Sequence, residues 1–411
     1  MNHLSINAER LLERLQRLGE IGRDENGSLT RLAASDVDGD ARDMLASWVK
    51  AAGLDLAIDR LGNMFASLRG GHGGGLAPVM IGSHIDTVVD AGIYDGCYGV
   101  LAGLEVIETL AGAGIAPVRP IVVAAFTNEE GVRYTPDMMG SLVYAGGLGV
   151  DEALASIGVD GTVLGEELAR IGYAGTREPD FPRPRAYVEL HIEQGPILDR
   201  EKTPIGAVET LQGISWRRVT IEGCANHAGT TPMAMRRDAG YCAAKVVTFL
   251  RDRLTAANAP TVATVGCMGF EPNAINVIPA RVTFTVDLRD PDEARLRQAE
   301  AALEKYLAEL AAKESVSISV ERLARFEPVT FDKAIVEMIE ETAAARGLRA
   351  RRMISGAGHD AQMIARLCPA AMIFVPSVDG ISHNPREYTA PADLAAGANV
   401  LLDVTRRLAA D

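Results

Sequence analysis

Val79-Met80-Ile81-Gly82-Ser83-His84-Ile85-Asp86 is an apolar run that ends on an imidazole and a carboxylate. It reads as a buried strand, and its surroundings repeat the theme. Residues 121–127 and 186–192 are further candidate strands, and residues 99–110 a helix stopped by Gly112 and Gly114. Apolar, β-branched runs alternating with helical segments are the pattern of an α/β sheet with helices on both faces. Upstream, residues 1–20 alternate charges with leucines instead of showing the basic flank and apolar block of a targeting segment. The spacing predicts an amphipathic helix with Leu11, Leu12, Leu15 and Leu18 on one face. Residues 70–75 are glycine-rich, but no Lys-Ser or Lys-Thr follows them. They read as a surface hairpin loop, not a phosphate loop.

A different rhythm begins near Gly213. Residues 214–221 read as a strand, 236–254 as a helix, and 261–268 and 281–289 as two more strands. A helix follows over 292–313, with Pro291 near its start, and residues 315–320 alternate strictly as a last strand. This is β-α-β-β-α-β, the ferredoxin-like unit. After Pro328 the first rhythm returns, with helices over 331–346 and 360–367 and a strand over 371–375. The expected organisation is one α/β domain, residues 1–212 and 328–411, interrupted by a smaller inserted domain, residues 213–327.

The length of 411 residues fits two or three domains at about 150 residues each. A hydrophobic share of 47% excludes a disordered or fibrous chain. Acidic residues outnumber basic ones 55 to 41, for a net charge of −14, and no basic tract offsets them. That argues against a nucleic-acid partner. No stretch nears about 18 uninterrupted apolar residues, so no membrane-spanning helix and no membrane partner is expected. The five cysteines are odd in number, scattered, and without a Cys-x-x-Cys pair. They point to reduced thiols in a cytoplasmic protein, with no disulfide frame and no thiolate metal site.

The residues that carry chemistry gather at strand ends, where ligands collect in open α/β sheets. His84 stands two residues from Asp86, which suits a metal ligand whose other ring nitrogen is held by an acceptor behind it. Asp95 precedes Gly96 in a loop before a helix; a carboxylate there can bridge two cations or simply make a turn. Asn128-Glu129-Glu130-Gly131 closes the 121–127 strand. Adjacent carboxylates repel unless a cation or acid–base work explains them, and a solvated acidic loop is the plainer alternative. Because neighbouring side chains diverge, one can hold a metal while the other faces a water. His191 ends the 186–192 strand, and His383 follows another strand and loop. Of seven histidines, three sit at α/β strand ends beside carboxylates. His84, Asp95, Glu130, His191 and His383 together supply nitrogen and oxygen ligands for divalent ions. No G-x-S-x-G elbow, no H-E-x-x-H, and no G-x-G-x-x-G after the first strand is present, which argues against three other enzyme classes.

These five segments, in this order around an inserted β-α-β-β-α-β domain, resemble the dinuclear-metal aminoacylase and carboxypeptidase superfamily. More narrowly they resemble its amidohydrolase branch of N-carbamoyl-L-amino acid hydrolases, β-ureidopropionases and allantoate amidohydrolases. The specific signatures are residues 82–88, residues 127–131, and His191-Ile192-Glu193-Gln194-Gly195, which carries His191 where many peptidase relatives have a carboxylate. The resemblance implies a mixed-sheet metallohydrolase domain with an inserted ferredoxin-like lid and dimerisation domain. It implies two divalent ions per subunit, of zinc, manganese, cobalt or nickel. His84 and His191 would hold one, Glu130 and His383 the other, and Asp95 would bridge them, with Glu129 as catalytic base. His227, in Asn226-His227-Ala228-Gly229, would reach the neighbouring subunit's site, and His359 would lie near the scissile carbonyl. Asn276 and Arg289 would grip a substrate carboxylate and Gln194 would touch the substrate. The implied reaction is hydrolysis of the carbamoyl C–N bond of N-carbamoyl-L-amino acids. Allantoate amidohydrolase and β-ureidopropionase are the alternatives within hydrolases, and a metal-dependent binding protein is the alternative outside them. The implied partners are a small ureido carboxylate and a second copy of the chain.

Overall fold

Four strands run parallel through the middle of the larger sheet, in the order Ile121–Phe126, Val79–His84, Ala186–Ile192 and Ala370–Val375. The structure, a computed structural model, describes residues 4–71, 75–179, 183–254 and 260–410; part of the expected 70–75 loop lies outside them. Every residue of the four strands is buried, and their near-continuous Val, Ile, Leu and Ala runs are what strands without a solvent face require. Met64–Leu68 and Asp55–Ile58 continue the sheet antiparallel on one side, and Ile205–Leu211 does so on the other. Ala350–Ser355 and Val329–Thr330 both pair with Ile205–Leu211 and bring the sheet to nine strands. Because the four central strands point the same way, their carboxyl ends share one edge. His84, the residues after Phe126, and His191 emerge there together.

The helix Cys97–Gly112 packs on Val79–His84 and is buried along most of its length. Ala8–Gly19 docks on that helix in turn, with Leu11, Leu15 and Leu18 buried and Leu12 only half-buried. Arg10 and Arg14 fix the contact by ion pairs of 2.7 Å to Glu105 and 2.9 Å to Glu108. No helix among the described residues is long and apolar enough to cross a membrane.

The chain divides into two compact units, Met1–Glu209 with Phe331–Asp411, and Thr210–Thr330. In the smaller one, Ser317–Phe326, Gly213–Glu222 and Arg281–Asp290 lie side by side, and Val262–Thr264 and Met268–Glu271 both pair with Arg281–Asp290. All of these pairings are antiparallel. Ala239–Phe249 and Glu293–Glu314 pack on this sheet. Val219, Ile221, Val282 and Phe284 meet Val246 and Leu303 in one core, each contributing about 1.5–3 kcal/mol by leaving water. The order is that of a β-α-β-β-α-β unit whose second strand is broken. The single strand expected over 261–268 splits because the step from Thr264 to Met268 faces the shorter step from Asp287 to Phe284, a one-residue bulge. The helix expected from residue 236 begins at Ala239, capped by Asp238, and gives way to a wider π turn at Leu250–Leu254. The last strand starts at Ser317, because Ser315 takes the left-handed conformation (φ 57°) that ends the preceding helix.

Candidate active site

His84 is the last residue of its strand, and its Nδ1 is 3.0 Å from the Asp86 carbonyl oxygen. His191 likewise donates from Nδ1 to the Ile192 carbonyl at 2.9 Å, while the Gly96 N–H donates to its Nε2 at 3.1 Å. The two carbonyls put a ring proton on each Nδ1 and turn each Nε2 toward Asp95. The acceptor behind His84 is therefore the backbone of Asp86, not its side chain. The Asp86 carboxylate instead accepts the Glu129 and Glu130 N–H groups, at 3.2 and 3.3 Å, and so fixes the acidic loop. Gly96 has φ 62°, and a Cβ there would lie 2.3 Å from the His84 ring. Only glycine lets the loop carrying Asp95 pass this close to the imidazole.

Asp95 stands between two sets of donors. Its Oδ1 lies 3.1 Å from His191 Nε2 and 3.6 Å from His84 Nε2. Its Oδ2 lies 3.3 Å from His383 Nε2, which is 3.6 Å from Glu130 Oε2. Ligand atoms each about 2.1 Å from one tetrahedral ion stand about 3.4 Å apart, so both sets have the spacing of a divalent-ion site. Among the described residues Glu130 Oε1 is buried without a hydrogen-bond partner, an acceptor that a cation would satisfy. Glu129 is buried, with Oε2 3.4 Å from His84 Nε2.

The electrostatics describe a site built for positive charge. Burial, then Asp360 and Glu130, push the Glu129 carboxyl well above its usual range; burial and Asp95 do the same to Glu130. Burial and Asp38 raise Asp86 to about 7. Burial lowers His84 to about 4 and His359 well below the usual imidazole value. His191, which burial alone would lower, is held at about 9 by Asp95. Above about pH 7 an ordinary imidazole is mostly neutral, so His84 and His359 then add little pH dependence. The raised groups remain: they stabilise the fold at low pH, and that stability is lost as pH climbs through their folded values. The Tm of chelator-treated protein should therefore fall between pH 7 and 9, and saturating divalent cation should abolish the fall. A flat or rising Tm in the chelated protein would contradict this electrostatic picture.

Gln194, at φ 57°, donates from Nε2 to Asp95 Oδ2 at 2.7 Å, so its amide rests on the shared carboxylate. His359 is buried edge-to-face against His191, ring centroids 4.5 Å apart, and its Nε2 has no partner among the described residues. The smaller unit holds the other three expected residues. There the Gly229 N–H donates to His227 Nδ1 at 3.0 Å, which leaves the exposed Nε2 as a donor. The Ala228 N–H donates to the Asn276 carbonyl at 2.9 Å, tying the two loops together. Arg289 turns Nε and Nη2 onto the Asp287 carboxylate at 3.0 and 2.9 Å, while Asp290 pairs with Arg295.

Some buried carboxylates at the site escape a reading by sequence, Glu189 and Glu387 among them. Glu189 accepts from the Ser83 hydroxyl at 2.7 Å and the Ala361 N–H at 2.8 Å, joining the strand end to the segment after His359. Glu387 accepts from the Tyr94 and Asp95 N–H groups. The only signal for Glu387 is its place four residues after His383; Glu189 sits inside an apolar strand, two residues before His191.

Residues 80–407 match the model of Peptidase family M20/M25/M40. The N-carbamoyl-L-amino-acid amidohydrolase of Rhizobium meliloti is 40% identical over 396 residues, 96% of this chain and 95% of that protein. The allantoate amidohydrolase of Escherichia coli (strain K12) is 36% identical over 402 residues, 97% of each chain. A crystal structure of an amidase of the hydantoinase/carbamoylase family from Burkholderia multivorans matches with a TM-score of 0.93 at 44% identity, covering 99% of both chains. With candidate metal-binding clusters at its strand ends, this chain belongs to the metal-dependent peptidase family M20/M25/M40 and is a hydrolase of linear amide C–N bonds.

Proposed function

We propose that the protein hydrolyses N-carbamoyl-L-amino acids to the amino acid, carbon dioxide and ammonia, using two divalent ions per subunit. The observation that carries this reading is the shared Asp95 between two nitrogen–oxygen donor sets, with the buried Glu129 beside them. The 40% identity to an N-carbamoyl-L-amino-acid amidohydrolase supports the choice of substrate. His84 and His191 would hold one ion, Glu130 and His383 the other; zinc, manganese, cobalt or nickel suits such ligands. When bound, a pair of such ions polarises the carbamoyl oxygen and acidifies a water. Glu129 takes the proton of the attacking water and delivers it to the leaving nitrogen. His359 and His227 donate to the oxygen that becomes negative as the carbamoyl carbon turns tetrahedral. The released carbamate breaks down to carbon dioxide and ammonia. Asn276 and Arg289 grip the substrate carboxylate, and Gln194 contacts the substrate.

His227 acts on a second copy's site, the smaller unit serving as lid and dimer surface with hinges near Gly213 and Glu327-Pro328. Among the described residues Ser317–Phe326 ends its sheet on one side, an edge that a twin would cover. All five cysteines are free, which suits the reducing cytoplasm.

The test is kcat/KM of the metal-loaded protein on N-carbamoyl-L-amino acids, N-carbamoyl-β-alanine and allantoate. The first class should be turned over best. Preference for allantoate would make it an allantoate amidohydrolase, the reading that the Escherichia coli relative keeps in view. Turnover of none would favour a binding protein. Arg289 is assigned to the substrate carboxylate, so wild type should strongly prefer the acid over its carboxamide analogue. Arg289→Ala should lose about 2–5 kcal/mol of that preference. Arg289→Lys should not restore it, because the planar fork is gone. An unchanged preference places the carboxylate site elsewhere.

A further inference from the structure

We propose that Glu387 is a positioning residue that locks Asp95 and His383 to each other and thereby sets the affinity of the Asp95–Glu130–His383 ion. The inference rests on the two-ion reading above. Glu387 is buried, and its side-chain hydrogen bonds among the described residues run to the two loops that carry these ligands. Its Oε1 accepts from the Tyr94 N–H at 3.0 Å and the Asp95 N–H at 3.2 Å, which fixes the backbone of the shared ligand. Its Oε2 lies 3.0 Å from the Ser382 hydroxyl, and the same hydroxyl lies 3.0 Å from Asp95 Oδ2. Oδ2 is the oxygen that faces His383. Ser382 and Glu387 flank His383 on one segment, whose turn is closed by the Glu387 N–H donating to the Asn384 carbonyl at 2.9 Å. One carboxylate thus clamps both sides of one ligand set. The packing is close as well as polar: a Cβ on Gly92 would lie 2.4 Å from both Cβ and Oε1 of Glu387. The 90–96 loop can rest on Glu387 only with glycine there.

The contacts also say which property of Glu387 matters. Two backbone N–H groups and one hydroxyl can be satisfied by an amide: its oxygen accepts the N–H pair, and its NH2 donates to Ser382 Oγ. The Ser382 proton is then left for Asp95 Oδ2. Glu387→Gln should therefore keep the clamp, and Glu387→Ala should lose it.

The experiment is calorimetric titration of chelator-treated, desalted full-length protein with Mn2+, with no substrate present. Wild type should take up two ions. Glu387→Ala should bind one ion near wild-type affinity and the other about 10- to 100-fold more weakly, the usual cost of removing a group behind a metal ligand. Glu387→Gln should stay within about threefold of wild type for both, as a conservative rescue. If Glu387→Ala does not fold, Gly92→Ala displaces the carboxylate without deleting it and should show the same selective loss. Wild-type affinity for both ions in Glu387→Ala or Gly92→Ala overturns the proposal, as does a loss in Glu387→Gln equal to that in Glu387→Ala. Failure of wild type to bind two ions overturns the two-ion reading itself and the clamp with it.

Discussion

Glu129→Gln is expected to lower turnover by a factor of about 10² to 10⁴, the usual contribution of a positioned general base. The amide matches the carboxylate in shape but cannot accept a proton. Glu129 is assigned to neither donor set, so metal uptake should be unchanged. Stability should not fall either, because burial and the nearby Asp360 and Glu130 disfavour the ionised side chain in the fold. Wild-type turnover in this variant would remove Glu129 from the mechanism. The same variant tests the second-copy role of His227. Glu129→Gln subunits mixed with inactive His227→Ala subunits should regain partial activity, since a heterodimer contains one site with both residues intact. No recovery despite verified subunit exchange would count against His227 acting across copies.

Asp95→Ala should abolish activity by a different route, the loss of both ions together. The two oxygens of Asp95 face different donor sets, Oδ1 at 3.1 Å from His191 and Oδ2 at 3.3 Å from His383. Removing them leaves each set one ligand short and brings the buried acids on either side no compensating cation. Metal analysis after dialysis should find less than one ion per chain. Retention of two ions would refute a shared ligand. The comparison with Glu387→Ala is informative, because that change leaves both oxygens present and should loosen only one ion.

The central strands were legible because strands buried on both faces announce themselves as unbroken apolar runs, and the ends of such runs are where His84 and His191 stand. Elements held by tertiary contacts were not. The helix Asp36–Ala51 opens with four acids and a glycine in its first eight residues, and it is stabilised by the buried Asp38–Arg42 pair at 2.8 Å and by Ser35 as its cap. The i,i+4 spacing of that pair is visible in the sequence, but its burial, with Arg42 also donating to the Gly62 carbonyl at 2.6 Å, is a product of the fold. The short strands Asp55–Ile58 and Met64–Leu68 exist because they pair with Ile121–Phe126 and with each other. The helix Pro391–Leu408 has no side-chain cap, although its proline lies in the first turn.

The site follows the same division. Candidate ligands at strand ends could be picked out by residue type, but the groups holding them could not. The Asp86 carboxylate turns to the 129–130 backbone, and the His84 ring is served by a carbonyl, which every residue possesses. Glu387 lies about 290 residues in sequence from the Asp95 it supports, a contact only the folded chain creates.

The central claim is that this site hydrolyses a ureido C–N bond through Glu129. Its most direct test is 13C NMR of metal-reconstituted protein with an N-carbamoyl-L-amino acid labelled at the carbamoyl carbon. The prediction is loss of the labelled carbamoyl signal with equal gain of labelled bicarbonate, at least about 100-fold faster in wild type than in Glu129→Gln. A persistent carbamoyl signal in fully metal-loaded wild type, or equal rates in the two proteins, would contradict it.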